Sequence, residues 1–171
     1  ETERDRRIQR AVVYDKGACV LHMLRQLLGD EAFFGGARSF LERHRYAKAT
    51  TEDLRAAFEE ASGLDLAPYF DRWIYDTGLP TLHWSTRTGK TSGGHETTVN
   101  VRPQGLPGPL PLEISIRTGE GWDTRRVVLD PAGGSWTIES PGPVRDVRIN
   151  ENRGILAETK KVRRLPTQPQ R

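Results

Sequence analysis

Apolar positions recur every three or four residues from Arg4 to about Gly78, with Pro68 as the single proline, and this period predicts amphipathic helices. Four helices fit the pattern. The first runs to Leu28 and stops at Gly29, a residue free to adopt the left-handed conformation of a helix end, and Asp30 is placed to cap the second. The second, EAFFGGARSFLERHRY, carries Phe33, Ala37, Phe40 and Leu41 on one face. The third starts at TTED, where Thr50 and Asp53 have the spacing of a capping box, and ends before Gly63. The fourth takes Asp65 as its N-cap, accommodates Pro68 in its first turn, and continues through Tyr69, Phe70, Trp73 and Ile74. Gly78 and Pro80 close it.

From Pro80 onward the period shortens to two, and all but one of the 11 prolines fall here. TTVNV, LEISIR, RRVVL and VRDVRI alternate as strands do, while TGKTSGGHE, PQGLPGP, TGEGWD and DPAGGS have the composition of turns. The expected fold class is therefore α+β, a helical bundle of about four helices followed by a small antiparallel β-sandwich. The expected limits are 1–80 for the helical part, 81–155 for the β part and 156–171 for a basic, solvated tail.

Two details of the helical pattern bear on partners. On the first helix Val13, Gly17, Val20, Leu21, Leu24, Leu27 and Leu28 form one apolar stripe, and Ile8, Val12, Cys19 and Met23 form a second. Such a helix is either central in its own bundle or turns its second face to something outside it. Gly35 and Gly36 in mid-helix each cost about 1 kcal/mol relative to alanine, which points to close approach by a neighbouring backbone or to a break.

Composition narrows the function classes. The net charge of +3 is spread as interleaved acids and bases, which argues against a nucleic-acid partner. No apolar run approaches the roughly 20 residues that span a bilayer, and the first ten residues have no apolar core of a signal peptide. One cysteine, Cys19, excludes an internal disulfide and a cysteine zinc cluster. The localisation stays open.

Candidate chemistry is sparse. His22, His44, His83 and His95 include no HExxH, and the residue types for a zinc site do not converge in the sequence. Cys19 and His22 stand three residues apart on one helix, but a small buried filler is the plainer role for the cysteine. There is no GxSxG, no phosphate loop and no dinucleotide fingerprint. Trp73 and Phe70, at helical spacing, are expected in the core.

The helical half nevertheless resembles a known family. YDKGACVLHMLR, LGDEAFF, TTEDL, ASGLDL and WIYDTGLP occur in the order found in the C-terminal portion of the thermolysin-like catalytic domain of the aminopeptidase N family of zinc metallopeptidases, the gluzincin aminopeptidases. The resemblance covers about Val12 to Leu82, and the following β half resembles, more generally, the small β-sandwich after that domain. It implies that Tyr14, the tyrosine of the Y-x-K-G motif, is a catalytic residue that donates its hydroxyl to the oxyanion of the tetrahedral intermediate. The family's amine-recognising G-x-M-E-N segment and its zinc-binding HExxH lie upstream of that tyrosine. The chain is thus expected to be part of a larger peptidase, with no metal or cofactor ligand of its own, zinc implied for the full-length parent, and no activity alone. Its implied partners are a peptide substrate and the upstream catalytic half carrying the zinc site, with self-association through an exposed apolar face when that half is missing. A non-catalytic peptide- or protein-binding scaffold is the alternative.

Overall fold

The computed structural model describes Glu3, Arg7 and residues 14–166. Two compact units divide the chain, Glu1–Thr77 and Gly78–Arg171. The first holds α1 (Gly17–Leu28), α2 (Asp30–Arg43), α3 (Thr51–Ser62) and α4 (Ala67–Phe70), the last continuing as a π-helical turn over Asp71–Tyr75. The expected start of the first helix at Arg4, and with it Ile8, Val12 and Val13, lies outside the described residues.

Helix ends follow local chemistry. Gly29 closes α1 at φ 79°, its N–H bonded to the Arg25 carbonyl at 2.9 Å. Asp30 is the first residue of α2 rather than its cap, because Arg25 takes the carboxylate with two hydrogen bonds of 2.7 and 2.9 Å. The capping box of α3 forms as expected: Asp53 N–H donates to Thr50 Oγ1 at 3.2 Å and Thr50 N–H donates to Asp53 Oδ2 at 2.8 Å. Those bonds from the Thr50 backbone and side chain hold the Asp53 carboxyl below its usual range. At α4 the cap position belongs to Leu66, and Asp65 instead accepts from Ala67 N–H at 2.9 Å in a local turn.

The buried line of α1 differs from the expected stripe. Val20, Met23 and Leu24 are buried, whereas Leu21 is 43 % exposed. The stripe is rotated, because positions 20, 23 and 24 cluster within one helical face while position 21 lies about 100° further round. Met23, which the sequence places on a second face, is thus part of the unit's own core. Phe58, Leu66, Tyr69, Phe70 and Trp73 complete that core. Ile74, expected beside Trp73, is partly exposed, because the π turn shifts the side chains after Phe70 away from the 3.6-residue period.

α2 meets α3 through Phe33 stacked on Phe58, with ring centroids 5.2 Å apart, and through Gly36. A Cβ on Gly36 would stand 2.7 Å from Phe58 Cδ1 and 3.1 Å from the Ala57 carbonyl, whereas one on Gly35 would meet nothing within 4 Å. The two glycines therefore have opposite expected responses to alanine. Gly36→Ala should destabilise by about 1–3 kcal/mol through overpacking, and Gly35→Ala should stabilise by about 0.5–1 kcal/mol through helix propensity. Urea unfolding of the two variants checks the contrast. On the opposite side of α2, Phe34 and Leu41 are 47 % and 67 % exposed.

The second unit contains seven strands: β1 (Thr81–Thr91), β2 (Gly94–Gln104), β3 (Leu110–Arg117), β4 (Trp122–Leu129), β5 (Gly134–Ser140), β6 (Asp146–Ile149) and β7 (Glu158–Lys161). They form a sheet of order β5-β2-β1-β7 and a second of order β4-β3-β6. Each sheet turns alternate residues inward, Leu82, Trp84, Val99, Val101 and Ile138 from the first and Leu110, Leu112, Ile114, Ile116, Val147 and Ile149 from the second. This is a β-sandwich-like core after a helical part, the α+β arrangement expected.

Three features depart from the sequence reading. Most of TGKTSGGHE, expected as a turn, is hairpin, because Thr88–Thr97 through Thr91–Gly94 remain paired and only residues 92–93 turn. β5 arises from a segment with few apolar residues and pairs antiparallel with β2. Within the expected tail, Glu158–Lys161 pairs parallel with β1, Glu158 N–H bonding the Pro80 carbonyl at 2.9 Å and Val162 N–H the Trp84 carbonyl at 2.8 Å. An open backbone edge on β1 supplies the reward that the side chains of this segment lack.

Candidate active site

Residues 14–16 adopt π-helical geometry just ahead of α1, and Tyr14 is 70 % exposed there. Its hydroxyl has no hydrogen-bond partner among the described residues. Two other tyrosines of this unit are committed elsewhere. Tyr75 donates its hydroxyl to Glu52 Oε1, and Tyr69 donates a 2.7 Å hydrogen bond to the Val20 carbonyl inside the core. Burial pushes the Tyr69 hydroxyl well above the ordinary tyrosine range, so it stays a neutral structural donor. Tyr46, the fourth, lies exposed after α2 with the Arg45 guanidinium near its ring.

The turn after α4 comes to the same end of the unit. Asp76 accepts from Thr77 N–H at 2.7 Å and from Arg72 Nη1 at 2.5 Å, and Arg72 also donates to the Thr77 carbonyl at 3.0 Å. The Thr77 amide first, then Arg72, and more weakly the Lys16 ammonium hold the Asp76 carboxyl below its usual range. Lys16 is two residues from Tyr14, so the field of this turn reaches the segment that bears the exposed phenol. The Tyr69 bond to Val20, one helical turn beyond Lys16, anchors α4 against α1 from within the core. Sequence reading passed over Arg72 and Asp76; an aspartate followed by Thr-Gly after an aromatic run was the available sign of this turn.

The remaining candidates do not assemble. Cys19 is half-buried on α1, His22 is exposed, and no hydrogen bond joins them. His44 ends α2 with its ring 5.1 Å from that of Phe40. His83 and His95 belong to β1 and β2. Among the described residues no group of three or more His, Cys, Asp or Glu could hold a metal ion. No helix among them is long and apolar enough to cross a membrane. Chemically, Tyr14 offers a phenolic O–H donor at the surface, on the segment just ahead of α1.

The Peptidase family M1 domain matches residues 2–73. Aminopeptidase N of Lactococcus lactis subsp. lactis is 43 % identical over 72 residues, which is 42 % of this chain and 8 % of that protein. Aminopeptidase 2, mitochondrial, of Saccharomyces cerevisiae is 31 % identical over 135 residues, 77 % of this chain and 14 % of that one. A crystal structure of Legionella pneumophila aminopeptidase A in complex with aspartic acid shares the fold, with a TM-score of 0.71 at 16 % identity, over 88 % of this chain and 18 % of that one. The chain belongs to peptidase family M1. It spans 8 % and 14 % of the length of those two curated relatives.

Proposed function

We propose that this chain is the C-terminal helical portion of the catalytic domain of a zinc-dependent aminopeptidase, about residues 1–80, with the β-sandwich-like unit that follows it. The observation that carries the reading is the Y-D-K-G segment, which presents just ahead of α1 an exposed Tyr14 hydroxyl with no hydrogen-bond partner among the described residues. In peptide hydrolysis the scissile carbonyl becomes tetrahedral and its oxygen gathers negative charge. A phenol O–H aimed at that oxygen bonds it more strongly in the transition state than in the ground state, which raises the rate. Tyr14 performs this step, and Lys16 and Asp76 belong to its setting rather than to the reaction.

Zinc, which the family implies, would supply Lewis-acid chemistry in the parent. The described residues of this chain bring together no donor set that fits it, so no step through the metal is assigned to them. The partner that completes the site is the rest of the parent peptidase, and the substrate is a peptide with a free N-terminus.

The chain by itself is expected to have no peptidase activity. Hydrolysis of aminoacyl-arylamides with and without added zinc measures this, and metal-dependent turnover would overturn the assignment of the zinc site to the remainder of the parent.

A further inference from the structure

We infer that the outer face of the β5-β2-β1-β7 sheet holds a binding site for a phosphate-class oxyanion. Ser85 stands opposite Asn100, and Arg87 opposite Thr98, in the β1–β2 ladder, so their side chains share one face of the sheet. The bond from Val162 N–H to the Trp84 carbonyl carries the chain after β7 along β1, which brings Arg163 to the same place. Together with Thr86 these five residues line one cleft of about 350 Å³. The five side chains on that face are guanidiniums, hydroxyls or an amide, while Thr86, opposite the buried Val99, alternates to the inner face.

The charges explain what such a cleft takes. Arg87 and Arg163 make no ion pair among the described residues, although other arginines of this unit do: Arg125 pairs with Asp123, and Arg148 with Asp146 and Glu151. Glu158 is already held by Lys160 at 3.0 Å. The carboxylates nearest in the ladder, Glu96 and Glu139, face each other one step beyond Thr98 and do not line the cleft. Two guanidiniums with no ion pair among the described residues and with fixed planar donors, beside hydroxyls and an amide, match a tetrahedral oxyanion with several acceptor oxygens. A neutral ligand would leave both charges unmet. A single carboxylate offers two oxygens to a lining with more donors than that.

The experiment is an amide and guanidinium NMR titration of the full chain with inorganic phosphate at constant ionic strength, with chloride and acetate as comparison arms. Saturable shifts at Arg87, Thr98, Asn100 and Arg163, tighter for phosphate than for acetate, are expected. Arg87→Ala and Arg163→Ala should each weaken binding about tenfold, the loss expected for one charged hydrogen-bonding partner. Both side chains are on the surface, and Arg→Gln variants keep the test open if an alanine variant misfolds. Shifts no different from those in chloride, binding to acetate as tight as to phosphate, or unchanged affinity in the double variant would each overturn the site.

Discussion

Tyr14→Phe in the intact peptidase should lower kcat by about 10²–10³-fold, the loss seen when one preorganised oxyanion donor is removed. KM should change little, because in the proposed role the hydroxyl bonds an oxygen whose charge exists only in the transition state. The structure makes this a clean substitution. Tyr14 is 70 % exposed and its hydroxyl bonds no described residue, so phenylalanine leaves no buried polar atom stranded. Unfolding free energy should stay within about 0.5 kcal/mol of the parent, as for most surface changes. Steady-state kinetics on aminoacyl-arylamides, with urea unfolding beside them, separates the two readouts. An unchanged kcat would reject the oxyanion role. The same replacement at Tyr69 should reverse the pattern, since that hydroxyl satisfies the Val20 carbonyl in the core.

The largest stability loss is expected at Trp73. Trp73→Ala should cost about 3–5 kcal/mol, the range for removing a buried large aromatic. The indole is 1 % exposed, 6.3 Å from the Tyr69 ring by centroids, with the Arg72 guanidinium 5.9 Å from its own centroid. Since domains hold only about 5–15 kcal/mol in all, such a loss would leave the helical unit marginal. Trp73→Phe should cost far less. It keeps most of the apolar area and removes the indole N–H, which is buried with no hydrogen-bond partner among the described residues. Urea unfolding followed by circular dichroism at the helix band orders the variants, and equal losses for Ala and Phe would show that the indole ring is not what fills the site.

What the sequence pattern reveals depends on how local the cause is. The capping box at Thr50 and Asp53, the stop at Gly29 and the burial of Phe70 and Trp73 are set by neighbours a turn away, and the sequence pattern shows them. The exchange of Leu21 for Met23 in the core depends on where α4 packs, which a helical wheel drawn for one segment does not contain. The π turn at Asp71–Tyr75 adds a residue to a turn without any change in composition. β5 and β7 owe their existence to backbone partners far along the chain, so their polar sequences gave no signal. At the candidate site, the spacing of residues alone left Tyr14 undistinguished; the ordered motifs around it singled it out. Arg72 and Asp76 escaped because their meaning lies in a turn, not in a motif of chemistry.

The parallel pairing of β7 with β1 also has a consequence for biosynthesis. β1 is made early in its unit, and its far edge stays unpaired until Glu158–Lys161 has been translated. At roughly 5–20 residues per second the ribosome would leave that edge open for several seconds. During that interval a nascent chain could recruit a foreign strand. The segment that ends the exposure is Glu-Thr-Lys-Lys, fully solvent-facing and mostly charged, and a charged outermost strand discourages further strands from adding. Of the strands described, the one translated latest is thus the one that seals this edge of the sheet against its neighbours in a crowded cell.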